Sequence, residues 1–216
     1  KRPGSDTISC YLCGTHCKLS SMQNHVGHHL LLALRGKNDP KPCSVQELGA
    51  DPCGFCGREG CYTQLIKKED EPVVIVSNCD YHYAKMLYKA ATKCTKNSPC
   101  TNVPIHCPLC KKSASGAPRT IWKYNVIYHL FSEHSPDNKL PEIPPQLMID
   151  TFIRRQEEEY MGIATEETNA YREVNEIPDS DGIEMMIEAQ KRGRDRSGTE
   201  SSAGSDFHRS KQLRQG

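Results

Sequence analysis

Cys10-Tyr-Leu-Cys13-Gly-Thr-His-Cys-Lys-Leu-Ser-Ser-Met-Gln-Asn-His25-Val-Gly-His-His29 is the stretch that decides the fold. A Cys-x2-Cys turn offers two thiolates from one tight loop, and histidines four apart on a helix project from one face. Together they can close a tetrahedron around zinc. The spacer from Cys13 to His25 is 11 residues, one shorter than in the usual Cys-Cys-His-His finger. His28 is an alternative to His29, since positions three apart also share a helix face. Met22, with Cys17 or Leu19, supplies a small apolar core.

The same pattern recurs along the chain. All twelve cysteines lie between Cys10 and Cys110, and eight of the nine histidines between His16 and His134. Cys107 and Cys110 are followed by His129 and His134, which makes a third ligand group with a longer spacer and a loop over Lys111–Arg119. Its histidines, five apart, require a bent or loosened helix end, and Ser132 and Pro136 supply one. Between the two groups stands a further knuckle, Cys53-Gly-Phe-Cys56. Strands over Cys61–Ile66 and Val73–Asn78 form a hairpin centred near Asp70, and this register places Cys61 opposite Cys79. Cys53, Cys56, Cys61 and Cys79 then make a four-cysteine site, with His82 or Cys100 as substitutes for Cys61 or Cys79. Cys17, Cys43 and Cys94 have no evident partner, His16 and His106 are read as surface residues, and Trp122 as core.

Histidines at ligand spacing favour zinc in a reducing compartment over a disulfide framework. Only 36% of residues are hydrophobic, which suits small metal-held units better than one large core. No run of about 18 apolar residues occurs, so neither a membrane span nor a membrane partner is expected. Lys1 rather than Met at the start fits a segment of a longer chain. Residues 1–136 carry 17 basic and 10 acidic groups, a balance of +7, and residues 137–216 carry 11 and 17, a balance of −6.

The expected architecture is a small zinc-stabilised α+β array, with ββα-like fingers around a hairpin and helix unit, followed by a helical, partly disordered tail. Its parts are a first finger and linker (1–42, opening with a polar leader over 1–9), a central cysteine-rich unit (43–99), a third finger (100–136), an amphipathic helical segment (137–192) and a disordered tail (193–216). Helices are expected over Tyr81–Lys93, in the third unit with Trp122 in it, over Gln146–Met161, over Thr165–Asn175 and over Gly182–Lys191. No clean sequence repeat accompanies the recurring knuckle.

His25-Val-Gly-His-His29, Cys53-Gly-Phe-Cys-Gly57, Ser77-Asn-Cys79, Pro99–Ile105, Cys107-Pro-Leu-Cys110 and Trp122-Lys-Tyr-Asn125 together resemble the zinc-finger region of a group of uncharacterised fungal proteins. The resemblance covers roughly residues 10–160; it implies zinc and a place near the C-terminus of a longer chain, but no reaction. The first and third groups resemble Cys-Cys-His-His fingers.

Three structural zinc ions are therefore expected, in a recognition module for nucleic acid, DNA before RNA, in the nucleus or another intracellular compartment. Lys18, Arg35, Lys111, Lys112, Arg119 and Lys123 are the candidate phosphate contacts. A protein-binding zinc module, including a RING-like ubiquitin-ligase scaffold, is the alternative; its partner would meet the 146–161 helix or the acidic tail. Lys191–Arg196 offers a nuclear-localisation patch. No catalytic centre or small-molecule substrate is expected: His-Glu-x2-His and a deaminase-type His-x-Glu are both missing.

Overall fold

A computed structural model describes residues 7–39, 48–67, 71–135, 141–178, 182–189 and 192. The leader up to residue 6, Cys43, the basic patch apart from Arg192, and the tail 193–216 lie outside them.

The first ligand stretch folds as a hairpin and a helix. Strands β1 (Thr7–Ser9) and β2 (His16–Lys18) pair antiparallel around the Cys10–Cys13 turn. The end of the expected leader is thus a strand. A 3-10 turn at Leu19–Ser21 leads into α1 (Met22–Leu34). Met22, Val26 and Leu30 recur every four residues on its buried side. The helix stops at Gly36, whose φ of 64° suits glycine, with Lys37 N–H donating to Leu32 O and Gly36 N–H to Ala33 O.

The central unit is a hairpin of β3 (Thr63–Ile66) and β4 (Val74–Ser77), with Thr63 opposite Ser77 and Ile66 opposite Val74. Those pairs are symmetric about position 70, as the sequence led us to expect. The helix expected over Tyr81–Lys93 shrinks to one turn, α2 (Tyr88–Ala91). Ala84 is exposed and Leu87 is 71% exposed, so the face that would have driven a longer helix buries little. Upstream, Tyr81 is held instead by its hydroxyl donating to Ser9 O, and the His82 ring lies against Phe55.

The third stretch repeats the first. Strands β5 (Pro104–His106) and β6 (Thr120–Trp122) pair, a 3-10 turn follows at Lys123–Asn125, and α3 (Val126–His134) completes the unit. Trp122 therefore lies on a strand and not in the helix. Ser21 and Asn125, at the two helix starts, have nearly the same backbone angles (φ −106°, ψ −1° and φ −93°, ψ −5°). Helix α1 begins nine positions after Cys13 and α3 sixteen after Cys110, a difference of seven taken up by the loop after Cys110. The first histidine falls three residues into each helix. This is a structural repeat with little sequence identity beyond its ligands.

The helix expected over Gln146–Met161 is two: α4 (Pro145–Thr151) and α5 (Arg155–Tyr160), separated by extended Phe152 and Arg154. The elbow lets Leu147 join the cluster of Val103, Ile105, Val126 and Leu130, while Ile153 and Met161 enter the one built on α1. Helix α6 (Thr165–Val174) follows, and 182–189 is also helical. One cluster joins Cys10, Met22 and Leu31 to Cys100, Tyr124, Ile153 and Ile163, so its side chains come from three of the expected parts. Among the described residues, no helix is long and apolar enough to cross a membrane.

Candidate metal centres

Three sets of four donors converge: Cys10, Cys13, His25 and His29; Cys53, Cys56, Cys61 and Cys79; and Cys107, Cys110, His129 and His134. Within each set the donor atoms lie within 4.8 Å of one another. The closer edges are Cys13 Sγ to His25 Nε2 at 3.2 Å, His25 Nε2 to His29 Nε2 at 3.2 Å, Cys56 Sγ to Cys61 Sγ at 3.6 Å and Cys110 Sγ to His129 Nε2 at 3.2 Å. A tetrahedral ion with zinc–sulfur and zinc–nitrogen bonds of ordinary length needs edges of ~3.3–3.8 Å. Three of the quoted edges lie just under the short end of that range and the fourth within it, and the donor chemistry of all three sets suits such an ion. Each could hold a metal.

Local backbone explains why. In the first and central knuckles, the leading cysteine's N–H donates to the carbonyl five residues on, and a glycine N–H four residues on donates back to that cysteine's carbonyl. The glycines, Gly14 and Gly57, have φ of 72° and 76°, which aims both thiols to one side of the turn. The third knuckle has Lys111 at that position and is closed instead by Cys107 N–H to Arg119 O across the hairpin. Cys61 and Cys79 arrive from the two ends of the β3–β4 hairpin. His134 reaches its set from the last residue of α3, 3.3 Å from Cys110 Sγ, so no bend within the helix is needed.

Alternatives left open by the sequence separate here. Cys100 is fully buried beside Gly27 and Met161, away from the central cysteines, and burial pushes its thiol up to about 12. The His82 ring packs on Phe55 at 5.0 Å and is outside the four-cysteine set. Among the described residues His28 groups with His29 and Asp39 and lies outside the first four-donor set. Cys17 lies 3.5 Å from Met22 Sδ, and His16 and His106 are exposed. The sets follow chain order, so among the described residues the interleaved pairs of a RING cross-brace are not formed.

Asp39, in the expected linker, went unnoticed in the sequence. Its carboxylate meets His29 Nδ1, leaving Nε2 toward the other donors, as a metal-bound histidine requires. Burial also pushes the Cys10 and Cys110 thiols up to about 11 and holds His129 below its ordinary value, neutral and ready to donate a lone pair.

The expected phosphate contacts divide. Lys18, Lys111 and Lys112 are exposed. Arg119 is half-exposed and pairs with Glu133 at 3.3 Å. Arg35 is buried, with Nε donating to Glu158 Oε1 at 2.6 Å and its guanidinium 5.1 Å from the Tyr171 ring. Lys123 is buried too, donating to Thr101 Oγ1 at 2.6 Å. Neither is placed on the open surface where a nucleic-acid backbone would lie. Both were misread because a basic side chain near a finger end was taken as solvated, whereas the acidic segment folds back and supplies Glu157 and Glu158, each 1% exposed. Comparison of the chain with protein-family models, curated proteins and solved structures finds no match.

Proposed function

We propose that the chain is a recognition module held together by three structural zinc ions, with nucleic acid as its partner. The metal assignment rests on donor sets that each offer four protein ligands; filled this way, a site has no open position for a reacting water, so we read the ions as structural and not catalytic.

The nucleic-acid reading rests on one observation. Residues 81–132 contain eight basic residues and no acidic one. With Lys123 buried and Arg119 paired, Lys85, Lys89, Lys93, Lys96, Lys111 and Lys112 remain exposed, and none has an ion-pair partner among the described residues. Point charges without base-reading geometry support backbone contact, with duplex DNA the first substrate to try. A labelled duplex titrated with zinc-loaded protein at rising salt is the test. Engagement of four to six of these lysines gives a slope of log K against log salt of about −4 to −5. Binding that ignores salt, or none at low salt, would overturn the nucleic-acid reading.

A protein partner is the second reading, and a specific surface favours it. Tyr62, Ile66, Val74 and Val76 project from the β3–β4 hairpin and are all exposed. Replacing Val74 and Val76 by Thr leaves DNA affinity unchanged if the lysines carry recognition.

A further inference from the structure

A cleft of about 900 Å³, lined by none of the donors of the three metal centres, is within the size range of small-molecule sites. Tyr88, Val103, Ile149 and Phe152 contribute apolar wall, and Lys93 and Arg154 stand exposed among its lining residues. Acidic Asp150 and Glu157 line it as well. Lys123, 8% exposed, is its one buried cation among the described residues.

The hydrogen bonds around Lys123 have a direction. Glu157 accepts from Thr101 N–H at 2.6 Å, from Thr101 O–H at 2.8 Å and from Tyr124 O–H. Thr101 has thus committed its proton to Glu157, and its lone pair accepts from Lys123. An ammonium has three N–H donors, and among the described residues this is its only hydrogen bond. No carboxylate lies within ion-pair distance of it among the described residues. Burial pushes its pKa down, the sign of an incompletely compensated charge. A buried cation with unused donors beside an apolar wall is built to receive an anion that brings its own apolar body.

We propose that this cleft binds a small amphiphilic anion, a carboxylate, sulfonate or phosphate on an apolar body, with the anionic group on Lys123 and the body between Tyr88 and Phe152. This does not depend on the nucleic-acid reading.

The test uses zinc-loaded protein and two fluorescent probes that share one apolar body: 8-anilinonaphthalene-1-sulfonate and the neutral N-phenyl-1-naphthylamine. The sulfonate probe is expected to bind at least about tenfold more tightly and to be displaced by decanoate. Lys123→Met should remove that preference while leaving affinity for the neutral probe within about twofold, and Lys123→Arg should keep it. Phe152→Ala should weaken both probes alike, a readout that survives if Lys123→Met fails to fold. Absence of binding, equal affinity for the two probes in the unaltered protein, an unchanged preference in Lys123→Met, or a Phe152→Ala protein that binds both as before would each overturn the proposal.

Discussion

At the scale of the residue, close approach and hydrogen-bond direction decide what is tolerated. Gly27 faces Cys100 from α1, and a Cβ there would sit 2.2 Å from Cys100 Sγ, which is itself fully buried with no room to withdraw. Gly27→Ala therefore forces α1 and the 100–103 segment apart, and should cost about 1–3 kcal/mol in chemical denaturation of the metal-loaded protein, despite alanine's higher helix propensity. Stabilisation instead would show that the contact is slack. Asp39 acts through His29. Asp39→Asn keeps the shape but weakens the carboxylate's hold on Nδ1, and should lower metal affinity at the first set about tenfold in chelator competition, leaving the other two unchanged.

Among the elements, α5 carries the largest concentration of buried charge. Glu158 accepts from Arg35 at the C-terminal end of α1 and lies 3.8 Å from Arg172 on α6, and Thr168 donates to its other oxygen at 3.0 Å. One carboxylate thus ties three helices. Glu158→Ala leaves the buried Arg35 guanidinium without its anion and should cost about 3–5 kcal/mol, a loss readable as a lowered Tm. Replacing the exposed Glu159 the same way should cost less than about 0.5 kcal/mol. Nothing in the sequence around Glu157-Glu158-Glu159 distinguishes the two buried members from the exposed one. The ββα units were more legible, since each carries its own turn, ligands and helix within about thirty residues. Helix α4 and α5 were read as one because their apolar spacing runs on through Phe152, and only the presence of two separate clusters to fill explains the elbow.

For the molecule as a whole, metal binding and folding are coupled through shared packing. A Cβ on Gly54 would meet the Trp122 ring at 2.3 Å and one on Gly57 would meet Leu12 at 2.6 Å, so the central knuckle is wedged between the first and third units. Phe55 adds an edge-on ring contact to Trp122 at 4.8 Å. Loss of one set should therefore loosen its neighbours. His129→Ala is expected to lower the unfolding temperature of the whole described array in a single transition, whereas three separate transitions would show independent beads. Acidification acts in the same direction. The thiols of Cys10 and Cys110, pushed up to about 11 by burial, are protonated at neutral pH before metal arrives, so binding expels their protons. Affinity must then rise with pH below about 11 and fall on acidification, by about tenfold per pH unit for each proton released. Chelator competition between about pH 6 and pH 8 measures that slope, and a flat profile would contradict it.

What the sequence determined by itself is local or set by symmetry along the chain. Ligand pairs at fixed spacing, glycines where a turn needs positive φ, and a hairpin centred on position 70 all act within a few residues or across one register, where spacing alone dictates geometry. Cys61 could thus be placed opposite Cys79 without coordinates. What only the tertiary structure decided is which charges are buried and which loops meet. Arg35 meets Glu158 from 123 positions away and Gln23 meets Asn102 O from 79 positions away. The burial of a charge depends on whether a distant partner can compensate its lost hydration, and no local pattern of residues encodes that distance.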